Sequence, residues 1–256
     1  KSEVMLHFDN IVYGPIHSRR LGSSLGVNIL PAVGKLCNFD CIYCECGWNR
    51  DGISDGMFPS AKDCESALRA ALEKIAKDGT PLNSITFSGN GEPTLNPHFS
   101  EIVDVTLALR DEFAPEAKVT VLSNATTCGK PAVLAALKKV DNPVMKIDAP
   151  TDELAECINK PSCIYNVQTV VDNLRAFDGN FILQTMFLRS DAFDSASPEV
   201  LGKWMDIVRK LHPREVMAYS IDRETPQKSL RKYTYDEISS FVKPLVDEGF
   251  TIQVKA

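Results

Sequence analysis

Three cysteines, Cys37, Cys41 and Cys44, fall within the eight-residue stretch CNFDCIYC in the spacing C-x3-C-x2-C. Thiolates are soft ligands for iron–sulfur clusters, zinc and copper(I), and one compact loop can bring three of them to a single metal centre. In a four-iron, four-sulfur cluster, three protein ligands would leave one iron open to a substrate or cofactor. The plainer alternatives are a zinc knuckle or three buried thiols. Structural zinc takes four ligands, yet no histidine lies between His17 and His98 and no second C-x2-C pair occurs. Cys46 keeps another possibility open, because with it the loop could close a zinc site or a fully ligated cluster.

Such a loop needs elements to position it. The chain has 256 residues, 44% hydrophobic and 24% charged, with net charge −6. That is the composition of a globular enzyme, expected as a single domain with a core over about residues 22–223, an N-terminal extension 1–21 and a C-terminal helix and strand 224–256. Eight cysteines, four of them in one loop, favour metal or redox chemistry in a reducing compartment over a disulfide scaffold. No run of eighteen apolar residues and no leader is visible, so a cytoplasmic protein without a membrane span is expected. The acidic balance argues against a general nucleic-acid binder, and the basic segment Arg223 to Lys232 reads equally well as a solvated loop.

Val27 to Leu30 reads as a strand feeding the cysteine loop, with GSSLG before it as a turn. Ser60 and Asp63 stand at capping-box spacing before a helical stripe of Ala61, Cys64, Leu68, Leu72 and Ile75, ended by Gly79 and Pro81. Strands at Ser84 to Phe87, Lys118 to Leu122, Val144 to Ile147, Phe181 to Leu188, Glu215 to Ile221 and Phe250 to Val254 then alternate with helices. Those helices span Phe99 to Phe113, Pro131 to Lys139, Val167 to Phe177, Pro198 to Leu211 and Tyr235 to Val246. This alternation predicts an α/β fold with a parallel sheet, either a partial barrel or a doubly wound sheet.

Ligands in such folds bind beyond the carboxyl ends of the strands. The second strand leads into Gly89, Asn90, Gly91 and Glu92, a turn in which glycines allow close backbone approach and Glu92 offers an acceptor. The third ends at Ser123 and Asn124, short polar groups that suit a ligand or a simple turn. On the fourth, Lys146 and Asp148 share one face, as a structural ion pair or as substrate-binding or acid/base groups. Gln184 on the fifth and Tyr219 on the sixth complete the candidates, with Arg189 just beyond. Cys128, Cys157 and Cys163 lack the tight spacing of an auxiliary cluster. His17, Arg19 and Arg20 precede the predicted first strand and are candidates to cover the mouth of the cysteine loop.

The C-x3-C-x2-C spacing with Tyr43 just before the third cysteine resembles the signature of the radical S-adenosylmethionine superfamily. The resemblance implies a partial (β/α)6 TIM-like barrel with the cluster loop after the first strand. It also implies a [4Fe-4S] cluster on Cys37, Cys41 and Cys44, with S-adenosylmethionine chelating the fourth iron. Reductive cleavage of that cofactor would give a 5′-deoxyadenosyl radical that abstracts a substrate hydrogen. The family's GGE-type turn implies cofactor contacts at Gly89, Asn90, Gly91 and Glu92, although Asn90 is an insertion relative to that pattern. Tyr43, Ser123, Asn124 and Gln184 are expected beside the cofactor, and Lys146, Asp148 and Tyr219 as catalytic groups.

The segments GPIHSRRLGSSLGVNILP and SGNGEPTLNP resemble the branch grouped with wyosine-type tRNA-modifying enzymes, which transfers a reaction class and not a substrate. The expected substrate is therefore a small molecule, a nucleoside or tRNA base, or a peptide, with flavodoxin or ferredoxin as external electron donor. Two alternatives stay open. One is an activase acting on a partner protein's glycine, and the other a non-enzymatic electron-transfer or scaffold protein with Cys46 as fourth ligand.

Overall fold

The computed structural model describes residues 6–18 and 21–256, so Arg19 and Arg20 lie outside the described residues. The chain divides into two compact units, Lys1–Cys37 with Asn49–Ser123 and Thr127–Pro143, and Asn38–Trp48 with Asn124–Thr126 and Val144–Ala256.

In the first unit, β1 (Val12–Ser18) pairs antiparallel with β2 (Gly22–Val27). After the cysteine stretch come α1 (Ala61–Asp78), β3 (Ser84–Phe87), α2 (Phe99–Phe113), β4 (Lys118–Ser123) and α3 (Pro131–Lys139). β2, β3 and β4 are parallel neighbours. Alternation sorts their side chains: Leu25, Val27, Ile85, Phe87, Val119 and Val121 are buried on one face, and Phe87 meets Phe99 of α2 edge-on. On the other face a buried chain of hydroxyls runs Ser24–Thr86–Ser84–Thr120 at 2.8–3.0 Å per step, so each polar group has a partner. α1 carries the predicted cap, with the Ser60 side chain accepting from Asp63 N and the Asp63 carboxylate accepting from Ser60 N.

The first strand of the parallel array differs from the sequence expectation. It is GSSLGV, residues 22–27, and the expected strand at Val27 to Leu30 begins where it ends. Small residues made this stretch read as a turn, but they are required there: a Cβ on Gly26 would lie 2.1 Å from the ring of Tyr13, which crosses over it. β1 falls in the stretch expected as an N-terminal extension, for which no strand was expected, and His17 lies on it.

The second unit contains β5 (Asn142–Lys146) from Val144 on, then α4 (Asp152–Ile158), α5 (Val167–Leu174), β6 (Ile182–Met186), β7 (Leu188–Arg189), α6 (Pro198–Leu211), β8 (Glu215–Tyr219), β9 (Arg231–Lys232), α7 (Tyr235–Asp247) and β10 (Ile252–Lys255). β5, β6, β8 and β10 run parallel in that order, and β7 pairs antiparallel with β9. The strand expected over Phe181 to Leu188 is therefore two pieces. Trp204 of α6 is buried under the sheet, donating to Thr185 Oγ1 at 2.9 Å and meeting Phe187 edge-on. Among the described residues, no helix is long and apolar enough to cross a membrane.

Candidate functional site

The cysteine stretch begins in the first unit, where Leu36 is held like a short parallel bridge opposite Gly91. Leu36 N donates to Asn90 O at 2.8 Å, and Glu92 N donates to Leu36 O at 3.1 Å. Gly91 has φ 136°, and a Cβ there would lie 1.8 Å from Leu36 O, so only glycine allows this approach. Gly89 is equally confined, with its missing Cβ 2.2 Å from Asn28 Oδ1.

The inserted Asn90 has structural work. Its Nδ2 donates to Phe8 O and Pro31 O at 2.8 and 3.0 Å, while its Oδ1 accepts from Phe8 N. Glu92 is 3% exposed, and its Oε1 accepts from Thr94 N, Thr94 Oγ1 and Ser123 Oγ. Four predicted residues, Gly89 to Glu92, thus form one turn that grips the residue before Cys37, with Ser123 joined through Glu92.

The remaining cysteines of the loop belong to the second unit. Cys44 N donates to Cys41 O and Gly47 N to Cys44 O, both at 3.0 Å, which folds the chain into successive turns. The segment after α4 runs beside it: Asp40 N donates to Asn159 O, Ile42 N to Ile158 O and Ser162 N to Asn38 O. Asn124 Nδ2 donates to Asn38 Oδ1 at 2.7 Å, and Asn38 Nδ2 donates to Thr126 Oγ1 at 2.8 Å. Asn124 therefore braces the loop from within this unit.

Tyr43 turns inward and packs with Ile42, Ile158, Met186 and Leu188. Its hydroxyl donates to Asp148 Oδ2 and accepts from Lys146 Nζ at 2.9 Å. Lys146 Nζ also donates to Tyr219 OH at 2.7 Å, lies over both tyrosine rings, and stands 4.0 Å from Asp148. Asp148 accepts further from Asn159 Nδ2 at 2.8 Å and, through Oδ1, from Met186 N at 2.9 Å. The predicted Lys146, Asp148 and Tyr219 are brought together, with Tyr43 and Asn159 added.

Electrostatics follow from this packing. Burial opposes the ammonium of Lys146, but Asp148, Tyr219 and Cys41 outweigh it and raise its pKa, so it stays charged. Burial and the nearby Asp148 hold Tyr43 well above the usual phenol value. Burial, then the neighbouring Cys44, pushes the Cys41 thiol up to about 11, against the opposing pull of Lys146. Gln184 pairs in register with Lys146 and so shares its face. It is 4% exposed, and its Nε2 is buried with no hydrogen-bond partner.

Cys64 and Cys128 are buried in the first unit, and burial pushes each thiol up to about 12, which suits inert core cysteines. Cys157 and Cys163 are exposed. Among the described residues, no three His, Cys, Asp or Glu side chains converge on one ion position. Arg189 lies over the Tyr233 ring and pairs with Glu237, apart from the Lys146 group. Asn159 was not among the sequence candidates, since a lone asparagine after a short helix carries no periodic or spacing signal.

A family model of the radical SAM superfamily matches residues 32–191, and the chain belongs to that superfamily. A UPF0026 protein of Helicobacter pylori is 30% identical over 232 residues, covering 89% of this chain and 71% of that protein. A radical SAM methyltransferase from Sphaerobacter thermophilus superposes with TM-score 0.68 at 18% identity, over 90% of this chain and 65% of that one. Streptococcus suis SuiB bound to S-adenosylmethionine gives 0.61 at 16% identity, over 90% and 47%. The chain thus spans less than two thirds of either solved enzyme. These likenesses assign it the α/β partial-barrel fold, and the family assignment makes it an enzyme of the radical SAM type.

Proposed function

We propose that the chain binds a [4Fe-4S] cluster through Cys37, Cys41 and Cys44 and cleaves S-adenosylmethionine reductively to abstract hydrogen from a substrate. The observation that carries this reading is the C-x3-C-x2-C stretch inside the matched residues 32–191. The donor set fits the group. Three thiols within eight residues suit a cluster in which each sulfur takes its own iron, whereas structural zinc wants four ligands. The unpartnered Nε2 of Gln184 supplies a buried donor for a polar ligand.

When bound, the cluster and cofactor supply the electron and the hydrogen-abstracting agent; the protein supplies orientation and exclusion of solvent. Gly89 and Gly91 belong to the turn that holds Leu36, the residue before Cys37, and Glu92, Ser123, Asn124 and Gln184 are proposed cofactor contacts with Tyr43 beside them. Lys146 holds its proton at Nζ between two phenols, and Tyr219 offers its hydroxyl, so both are proposed to act on the substrate after abstraction. Asp148 is proposed to position them, because its carboxylate already accepts from Tyr43, Asn159 and Met186. An external one-electron donor such as flavodoxin or ferredoxin is required.

The test is anaerobic reconstitution with iron and sulfide, dithionite reduction, and assay of 5′-deoxyadenosine beside EPR of the reduced cluster. Formation of 5′-deoxyadenosine, a cofactor-induced change in the EPR signal, and loss of both in the Cys37/Cys41/Cys44 triple alanine variant are expected, with iron retained in Cys46→Ala. A cluster whose signal ignores the cofactor, with no cleavage, refutes the proposal.

A further inference from the structure

Asn159 ends α4 and is 2% exposed. Its single amide nitrogen has two hydrogens, and both are used: one toward Asp148 Oδ2 at 2.8 Å, the other toward Cys41 Sγ at 3.4 Å. The carboxylate that takes the first is itself immobilised by the Tyr43 hydroxyl and Met186 N. The backbone adds a second tie, since Asn159 O accepts from Asp40 N at 2.9 Å, one residue before Cys41. The amide therefore cannot turn away from the sulfur without leaving Asp148.

We propose that Asn159 is a positioning residue that donates a hydrogen bond to the Cys41 thiolate and thereby raises the reduction potential of the cluster; this rests on Cys41 being a cluster ligand. Reduction adds negative charge that spreads onto the ligand sulfurs, and an N–H dipole aimed at one of them stabilises the reduced state. Hydrogen bonds to sulfur are among the levers that set cluster potentials. Burial of the Asn159 amide strengthens the effect, because water has little access to the donor. The negative charge of Asp148 would act in the opposite direction, but Lys146 stands 4.0 Å away and offsets it. The arrangement leaves the dipole of Asn159 as the directional term at Cys41.

The experiment is an EPR-monitored potentiometric titration of the reconstituted full chain, without S-adenosylmethionine, for wild type, Asn159→Leu and Asn159→Ala. At the wild-type midpoint, the reduced-to-oxidised ratio is expected to fall about tenfold in both variants at wild-type iron content, a shift of about 59 mV for a one-electron couple. A role confined to supporting the fold would change iron content or thermal stability and leave the midpoint in place. An unchanged midpoint at full iron content overturns the inference while leaving the enzyme reading intact. If wild type takes up no cluster, or Cys41→Ala leaves the cluster unchanged, the ligand reading fails and the inference with it. Should neither variant retain iron, pulsed EPR of reduced wild type carrying ¹⁵N-asparagine decides: a ¹⁵N coupling is expected, and its absence overturns the inference.

Discussion

Gly91→Ala tests whether the glycine turn fixes the start of the cysteine loop. The added methyl would sit 1.8 Å from Leu36 O and 2.4 Å from Leu36 C, backbone atoms that cannot swing aside like a side chain. If Leu36 lets go, two backbone hydrogen bonds are lost, about 2 kcal/mol or roughly 30-fold in the equilibrium of that bridge. Forcing alanine to φ 136° adds about 1–3 kcal/mol of backbone strain, for a total of about 3–5 kcal/mol. Against a typical stability of about 5–15 kcal/mol the variant still folds, with Cys37 less firmly placed. Gly79→Ala is the control: φ is also positive, at 62°, but nothing lies within 4 Å of the new methyl, so only about 1 kcal/mol is expected. Urea unfolding measures the global loss, and iron per chain after reconstitution reads the loop. Gly91→Ala with the stability and iron content of Gly79→Ala would refute the argument.

Further outcomes follow from the buried polar groups. Asp148→Ala leaves the Lys146 ammonium without its carboxylate, and a loss of about 3–5 kcal/mol is expected in urea unfolding; a change under 1 kcal/mol contradicts it. Thr185→Val removes the acceptor of Trp204 Nε1 and the donor to Ile147 O, so a fall of about 1–3 kcal/mol is expected by thermal denaturation. Asp141 governs part of the acid limb: partial burial works against its charge, but the Val119 N–H and Arg110 outweigh it and hold its pKa below the usual carboxylate range. That stabilisation is complete above the unfolded carboxylate value of about 3.9 and is lost as pH falls through the lower native value, so Asp141→Asn should flatten the stability decline in that window. A pH profile parallel to wild type there would show that Asp141 contributes nothing.

Much of the architecture was legible because it rests on local signals. The Ser60 cap, the α1 stripe and the alternation of strands with helices all have periods short enough to read from neighbouring residues. The strand GSSLGV and the edge strand β1 escaped, because their fitness depends on a distant fit: Tyr13 lies over Gly26, and Pro15 is tolerated in a strand paired on one side only. α4 has only seven residues, too few for periodicity to declare. The cysteine spacing pointed to the superfamily whose model matches residues 32–191, and strand alternation put Lys146 beside Asp148. What joins Tyr43 and Asn159 to them is contact across more than a hundred residues for Tyr43 and a turn of irregular backbone for Asn159, and neither leaves a mark on the local sequence.

The segment 158–162 that runs beside residues 38–42 has a thermodynamic consequence. Ordering a residue's backbone costs about 1–2 kcal/mol of conformational entropy. A zinc finger meets that cost with its metal, so chelation and unfolding are one event. Here the protein's own hydrogen bonds from Asp40, Ile42 and Ser162 order that stretch. The cluster proposed for this loop would therefore not have to supply that ordering, and iron removal from a reconstituted chain is expected to leave the second unit's unfolding transition in place, as urea unfolding would show.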